Sequence, residues 1–417
     1  MIRAIVFIAL WTLAGLARAA PAFQLSMYPI FSCGAAFGCP ALSFPEGYQL
    51  LVSVEAVGTD GFPATDYNGT VVFTSTDPSA VIVPSSHTFV ASDHGITSVA
   101  VRFYRQGPQT ITGADAINGL SGSTGASINS NSLPKITNAG DLSGAWSAPY
   151  IGGQGIMLDV ASNDDGSANV FGAWFTFTDL TTVPQAFPVW FSFQGKMASL
   201  AEAGAILDIY ATPGGNFNAG PVVSAKLIGR ATLQFYGCSQ AQFSFLMAND
   251  YLNYRKPDSF VAGSSLNLQR LSAEAGCDSA SMPTRSARGF SGTWYDPSTS
   301  GQGLLFDVSA TNGGWLFGGW FTFSADIYGG FQWFTLQGPF PLNGNEADVP
   351  IYVARTESFL STASPTNGET STHQVGTAHI LFKSCTDAQL DFNFQDGVNA
   401  TGSIPLKRLT PVPDDCS

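Results

Sequence analysis

Two matched sets of side chains, between residues 159 and 337, combine tryptophan with small polar groups. Flat aromatic rings beside hydrogen-bonding side chains suit sugars and small polar ligands, because the ring covers an apolar face while the polar groups fix orientation. The candidate binding residues are Asp159, Trp174, Thr176, Trp190 and Gln194 in the first set, and Asp307, Trp320, Thr322, Trp333 and Gln337 in the second. The pattern predicts binding of a carbohydrate or another extracellular polymer, and it assigns no catalytic residue.

The two sets belong to an internal duplication. Ser143-Gly144-Ala145-Trp146 returns as Ser291-Gly292-Thr293-Trp294, and Gly153-Gln154-Gly155 returns as Gly301-Gln302-Gly303. A unit repeated at this length is a folding module. Function is therefore expected to belong to the module, or to the possession of two modules.

The first residues read as an export signal. Residues 1–19 combine the charged Arg3, a short apolar run and the small-residue site Ala17-Arg18-Ala19. The apolar run is short for a membrane span, and no later uncharged apolar stretch is long enough. We therefore expect a secreted, extracellular or cell-surface protein, with the periplasm as the alternative, and no membrane insertion.

The charge composition limits the classes of partner that the chain is expected to bind. The chain has 17 basic and 30 acidic residues, a net charge of −13. Nucleic acid and anionic membrane surfaces are bound by clustered Lys and Arg, so neither is expected as a partner. The predicted partner is an extracellular polysaccharide or a cell-surface glycan.

Six cysteines in an exported chain predict disulfides. The duplication removes most of the ambiguity in pairing, since one pair recurs at the same place in each copy. The predicted disulfides are Cys238 with Cys277, Cys385 with Cys416, and the remaining pair Cys33 with Cys39.

The elements that must position the candidate residues are strands. Each copy contains about eight strand-like segments in simple succession, and such a meander can close into a barrel without exposed edges. Alternation through Tyr48, Leu50, Val52 and Val54, followed by several tight turns, predicts a two-sheet sandwich before the duplication. The predicted fold is all-β: an export signal (1–19), an immunoglobulin-like β-sandwich (20–130) and two eight-stranded up-and-down β-barrel-like domains (131–280 and 281–417).

Strands two to four of each copy are predicted to have two contrasting faces. One face is apolar and the other carries tryptophan, glycine and small polar groups. In the first copy the apolar face is assigned Ile156, Leu158, Val160, Phe171, Ala173, Phe175, Phe177, Val189, Phe191 and Phe193. The tryptophan face could be an outer binding strip, could line a ligand cavity, or could complete a core or pack one module against the next.

Two carboxylates lie in mid-strand beside tryptophan, where an unpaired charge is costly to bury. Arg270 and Arg408, in the last predicted strand of each copy, are the natural ion-pair partners of Asp159 and Asp307. The alternative is that these carboxylates orient a ligand or take part in catalysis.

The two copies cannot share a catalytic mechanism that depends on histidine. The first copy contains no histidine, so the two copies cannot have a Ser-His-Asp triad in common. Standard phosphate-loop, zinc-protease and calcium-loop motifs are also missing, and neither a metal nor a cofactor is predicted. A hydrolase that uses two carboxylates stays open.

Three resemblances accompany these patterns. Tyr67 to Pro78 resembles bacterial immunoglobulin-like domains of surface and adhesion proteins, which implies a spacer or adhesive role. The Gly-x-Trp that opens each copy resembles the first strand of lipocalin-type and streptavidin-like barrels. The duplicated part as a whole is similar to the tandem Trp- and Gly-rich β-repeats of uncharacterised exported bacterial proteins.

The sequence therefore predicts an exported, non-catalytic binding or adhesion protein with two tandem barrel modules. The first alternative is a secreted hydrolase that acts on extracellular or cell-wall polymer. The second is a purely structural or adhesive surface protein that acts through its immunoglobulin-like domain.

Overall fold

The fold is that of a computed structural model. The structure describes residues 21–29, 43–149, 151–178, 187–220, 223–248, 261–272, 287–299, 301–309, 313–324, 330–355, 371–395, 400–412 and 416. The predicted export signal and the cysteines Cys33, Cys39 and Cys277 lie outside these residues. The predicted all-β fold is confirmed, with two closed eight-stranded antiparallel barrels after an N-terminal pair of sheets.

The N-terminal part has two sheets over one core. Its strands are β1 (Ala22–Tyr28), β2 (Ser43–Pro45), β3 (Leu50–Val57), β4 (Thr70–Ser75), β5 (Val81–Val83), β6 (Ser86–Thr88), β7 (Ile96–Arg102), β8 (Gly107–Asp115) and β9 (Leu120–Asn129). The strand orders are β1-β3-β7-β5 and β2-β9-β8-β4-β6. The predicted alternation is seen in β3, where Leu50, Val52 and Val54 are fully buried in the core between the sheets. The immunoglobulin-like resemblance of this part stays a prediction.

The first copy forms a closed barrel in which each strand pairs with the next and the last pairs with the first. The strands are β10 (Gly144–Ser147), β11 (Gly155–Ser162), β12 (Ala168–Phe177), β13 (Pro188–Met197), β14 (Gly204–Ala211), β15 (Lys226–Phe235), β16 (Gln240–Ala248) and β17 (Val261–Arg270).

The second copy repeats this topology. Its strands are β18 (Gly292–Tyr295), β19 (Gly303–Ser309), β20 (Trp315–Phe323), β21 (Phe331–Pro339), β22 (Glu346–Arg355), β23 (Ser371–Phe382), β24 (Asp387–Phe394) and β25 (Thr401–Arg408). Closure removes the unpaired edges that an open sheet of this length would present.

The assignment of side chains to the two faces was wrong for β12, the third strand of the first copy. Trp174 lies opposite Ile156 on β11 and Phe191 on β13, so it shares the barrel interior with them. Phe175 and Phe177 point the other way and pack between the barrels. The same reversal holds for β20 in the second copy. The physical reason is that both strands are buried on both faces, so their alternation carries little information about which face is inside.

The N-terminal sheets pack directly on the first barrel. Leu51 on the outer face of β3 contacts Leu246 of β16, and Arg230 Nη1 donates to the Ser98 carbonyl oxygen at 3.1 Å. The hydroxyl oxygens of Tyr48 and Tyr236 are 2.6 Å apart. This contact is rich in buried polar groups and joins the two parts along several strands.

Burial at this contact changes the acidity of its tyrosines. It raises the pKa of Tyr48 well above the ordinary value, helped by the neighbouring Tyr236 hydroxyl. Burial, followed by the hydrogen bond to Glu202, raises the pKa of Tyr104 to about 12. Glu202 also receives a hydrogen bond from Arg102, whose side chain is almost completely buried.

Candidate functional site

The paired tryptophans are buried, in two different places. Trp174 and Trp320 lie inside the first and the second barrel, and each is 1% exposed. Trp190 and Trp333 lie between the barrels at 1% and 2% exposure. Of the three arrangements that the sequence allows, the structure therefore shows completion of the cores and packing of one module against the next.

A hydrophobic cluster joins the barrels through matching strands of both copies. It is built mostly from side chains on the outer faces of strands one to four of each barrel. Its buried members are Ala145, Met157, Ala173, Phe175, Phe177, Trp190, Leu305, Phe321, Phe323, Trp333 and Ala354. We call this cluster, with the polar contacts around it, the inter-barrel interface.

The interface is reciprocal. Trp190 Nε1 donates to the carbonyl oxygen of Thr322 at 2.6 Å, and Trp333 Nε1 donates to the carbonyl oxygen of Thr176 at 3.0 Å. Trp190 corresponds to Trp333 in the duplication, and Thr176 corresponds to Thr322. Each contact thus has a counterpart with the two copies exchanged, as in the interface of a two-fold symmetric dimer.

The carboxylates of Asp159 and Asp307 also make reciprocal contacts between the barrels. Asp159 Oδ2 accepts hydrogen bonds from the backbone amide of Thr293 and the hydroxyl of Thr410, each at 2.7 Å. Asp307 Oδ2 accepts from the backbone amide of Ala145 at 3.0 Å and from the hydroxyl of Ser272 at 2.9 Å. Both carboxylates are almost completely buried, and each reaches the first strand of the other barrel.

The expectation that each carboxylate pairs with the arginine of its own copy was wrong. A Cβ atom on Gly292 would meet Arg408 Nη1 at 2.7 Å and Asp159 Oδ2 at 2.9 Å. A Cβ on Gly144 would likewise meet Asp307 Oδ2 at 2.6 Å and Arg270 Nη2 at 3.0 Å. Each carboxylate therefore lies beside the arginine of the opposite copy, because the outer face of β11 or β19 packs on the neighbouring barrel.

The arginines connect this contact to the disulfide-bonded turns. Arg408 Nε donates to the Cys385 carbonyl oxygen at 2.7 Å, and Nη1 donates to the Ser291 carbonyl oxygen at 2.8 Å. The predicted Cys385–Cys416 disulfide is confirmed. Cys238 is also disulfide-bonded.

The remaining candidate residues divide between buried structural contacts and the surface. Thr176 Oγ1 donates to Gln154 Oε1 at 2.5 Å, and Thr322 Oγ1 donates to Gln302 Oε1 at 2.6 Å. Gln194 is exposed, and Gln337 is half-buried. A ligand-binding role for the ten candidate residues stays a prediction.

A loop of the first barrel completes the core of the second. Phe217, between β14 and β15, packs its ring against those of Trp320, Phe392 and Phe394 at centroid distances of 5.5, 5.8 and 5.9 Å. The adjoining amide of Asn218 donates to Gln302 Oε1 at 3.0 Å. No repeat or motif in the sequence marks this loop, so the insertion could not be predicted from it.

One tryptophan differs from the others. Trp315, at the start of β20, is 40% exposed, whereas the other six described tryptophans are at most 2% exposed. It is also the described tryptophan that has no counterpart in the other copy, where Asn169 holds the equivalent position. That mismatch is the sequence signal that could have separated it from the core residues.

The described part of the chain offers neither a cluster of metal ligands nor a membrane-spanning helix. Among its residues, no group of three or more His, Cys, Asp or Glu side chains could hold a metal ion. No helix in the same part of the chain is long and apolar enough to cross a membrane.

The fold and the interface define an all-β protein with an N-terminal pair of sheets and two eight-stranded barrels joined face to face. No protein-family model matches the chain, and no curated protein matches it. Among solved structures, it is similar to invasin, a bacterial integrin-binding protein, at 13% identity and a TM-score of 0.19, over 93% of this chain and 60% of the invasin chain. It is also similar to domains 4–9 of the surface layer protein SbsC, at 8% identity and a TM-score of 0.19, over 94% of this chain and 83% of that one.

Proposed function

We propose that this protein is an exported, non-catalytic structural or adhesive protein of the cell surface or the extracellular space. In this proposal the two barrels act as one rigid body that carries the N-terminal sheets at a fixed angle. The observation that supports it is the reciprocal interface, in which tryptophans and carboxylates of both copies hold the barrels together.

In this proposal the two barrels have little freedom to move relative to one another. Domains in one chain move relative to one another unless their shared surface is large and hydrophobic. Here aromatic side chains from both barrels form a continuous buried cluster, and Phe217 inserts from one barrel into the other. The N-terminal sheets add buried contacts such as the hydrogen bond from the Gln49 amide to Gln234 Oε1 at 3.0 Å. Such a chain transmits force and orientation along its length, which is what a spacer or an adhesive stalk requires.

The hydrolase alternative draws no support from Asp307. Its carboxylate is buried and accepts a backbone hydrogen bond from the other barrel, so it faces a neighbouring domain. We therefore propose a binding or an adhesive role in preference to hydrolysis. In either role the rigid pair of barrels would hold the N-terminal sheets in place.

Two measurements on the producing cell and the purified chain test the proposal. Deleting the gene should reduce attachment of the cells to a polysaccharide-coated surface, and the full chain supplied in trans should restore it. Immunogold labelling should find the protein outside the cell. Unchanged attachment, or intracellular labelling, would contradict the proposal, as would polymer hydrolysis that Asp307→Asn abolishes.

A further inference from the structure

The strongest unexplained feature is the exposed indole of Trp315. Tryptophan side chains are large and highly buried on average, and Trp315, at 40%, is the one described tryptophan that is more than 2% exposed. Trp315 makes no aromatic ring contact with any described residue, and its Nε1 has no hydrogen-bond partner among them. Neither ring stacking nor an indole hydrogen bond to a described residue therefore accounts for a tryptophan at this position.

The residues beside Trp315 supply hydrogen-bonding and apolar groups on the same outer face. Trp315 lies directly opposite Pro339 on β21, and Gln337 lies opposite Phe317, two positions away on β20. Because diagonal neighbours on one face of an antiparallel pair are within reach of long side chains, the Gln337 side chain and the indole can contact the same ligand. Within the described residues, that amide has no hydrogen-bond partner either.

The local charge indicates the kind of ligand. Asp307 is the only charged residue on strands β19, β20 and β21, and its carboxylate is buried in the inter-barrel interface. Trp315, Pro339 and Gln337 therefore offer an aromatic plane, a proline ring and an amide, none of which is charged, beside strand β22, which carries the exposed carboxylates of Glu346 and Asp348. Such a surface matches a neutral ligand that has both an apolar face and hydroxyl groups.

We propose that Trp315, Gln337 and Pro339 form a subsite for one sugar ring of a neutral extracellular polysaccharide. The indole covers the apolar face of the ring, and the Gln337 amide exchanges hydrogen bonds with a ring hydroxyl. The subsite belongs to the second barrel alone, since the first has Asn169 in place of the tryptophan. This inference rests on the proposed function, because it names the substance that the adhesive protein contacts.

Affinity electrophoresis of the full chain tests the subsite. The probes are the neutral polymers hydroxyethylcellulose, laminarin and glycol chitin, with alginate as an anionic comparison. We expect at least one neutral polymer to retard the wild-type chain, Trp315→Ala to weaken that binding tenfold or more, and Gln337→Ala to weaken it less. Phe62→Ala, which removes an exposed aromatic ring from the loop between β3 and β4, is the matched control and should bind like the wild type.

Fluorescence quenching tests sugar binding at Trp315 without relying on migration in gels. The oligosaccharide of the retarding polymer should protect Trp315 from acrylamide quenching, and near-ultraviolet circular dichroism should show that Trp315→Ala is folded. The subsite is overturned if no neutral polymer retards the chain, if alginate retards it more strongly, or if Trp315→Ala binds like the wild type.

The two proposals can fail separately. Attachment that depends on the gene but survives Trp315→Ala would overturn the subsite and leave the adhesive function standing. Sugar binding lost in Trp315→Ala, together with attachment that is insensitive to gene deletion, would support the subsite and overturn the adhesive function.

Discussion

Asp159 of the first barrel accepts a hydrogen bond from the backbone amide of Thr293 in the second barrel, at 2.7 Å. The same contact occurs with the copies exchanged, between Asp307 and the amide of Ala145 at 3.0 Å. A duplicated pair of barrels has thus formed an interface in which each copy serves the other, in the manner of a symmetric dimer whose subunits share one chain.

Removing either carboxylate should destabilise the chain. Asp159→Ala leaves the buried amide of Thr293 without a partner, and Asp307→Ala does the same to Ala145. We expect each to lower the free energy of unfolding by about 1–3 kcal/mol, the cost of an unsatisfied buried donor. Urea unfolding measures this, with the exposed Asp164→Ala as control. If Asp159→Ala unfolds at the same urea concentration as the control, the carboxylate does not stabilise the interface.

The glycines beside these carboxylates should tolerate no side chain. Gly144 and Gly292 have φ angles of +130° and +127°, and a Cβ on either would come within 3 Å of side-chain atoms of the contact. We expect Gly144→Ala and Gly292→Ala each to cost about 1–3 kcal/mol from backbone strain alone. Gly330→Ala is the matched control, since its Cβ would meet no atom within 4 Å. Equal midpoints in thermal unfolding for Gly292→Ala and the control would show that the backbone at Gly292 does not approach the neighbouring side chains closely.

The indole N–H groups at the interface should stabilise the chain in addition to the packing of their rings. Trp190→Phe and Trp333→Phe keep an aromatic side chain in the hydrophobic cluster but remove the donor to the opposite barrel. We expect each to reduce stability by about 1 kcal/mol or more, because a buried carbonyl oxygen loses its partner. Trp315→Phe, at the surface, should leave the unfolding midpoint unchanged. A Trp190→Phe chain as stable as Trp315→Phe would contradict the importance of the cross-barrel hydrogen bond.

Tryptophan fluorescence should contain one accessible component. Trp315 is 40% exposed and the other described tryptophans are at most 2% exposed, so acrylamide should quench mainly Trp315. In Trp315→Phe, measured on the chain without residues 1–19, the Stern–Volmer slope should fall to that of buried indoles. A slope unchanged by this substitution would mean that the interface tryptophans are open to solvent.

Alkaline pH should weaken the contact between the N-terminal sheets and the first barrel. The pKa of Tyr104 is raised to about 12 in the folded chain, against about 10 when unfolded. Because the folded state holds the proton more tightly, this stabilisation is complete below pH 10 and is lost as the pH rises from about 10 to about 12. The urea midpoint should therefore fall over that range, and fall less steeply in Tyr104→Phe. Parallel pH profiles for both chains would exclude this tyrosine as a source of the effect.

The strands of the duplicated part could be predicted from the sequence because turn residues and strand-like segments repeat in the same order. The faces could not, because β12 and β20 are buried on both sides and apolar residues occur in both alternations. The partners of Asp159 and Asp307 were unpredictable for a related reason. Two similar copies allow pairing within a copy or between copies, and the sequence looks the same in both cases.

Trp315 shows what a duplicated sequence can still reveal. The paired tryptophans are buried in both copies, so their repetition reflects the packing that both barrels need. The unpaired tryptophan is the one that reaches solvent. In a duplicated chain, departures from the repeat can therefore carry more information about function than the repeat itself.

Phe217 lies in the first copy by sequence and in the hydrophobic core of the second by position. A fragment that starts at residue 281 would lack this ring, and the second barrel would refold with a hole beside Trp320. During folding the second barrel has to recruit a segment made earlier, so we expect the two barrels to fold as one cooperative unit. For the same reason, recombination could not transplant the second copy alone into another protein without losing part of its interior.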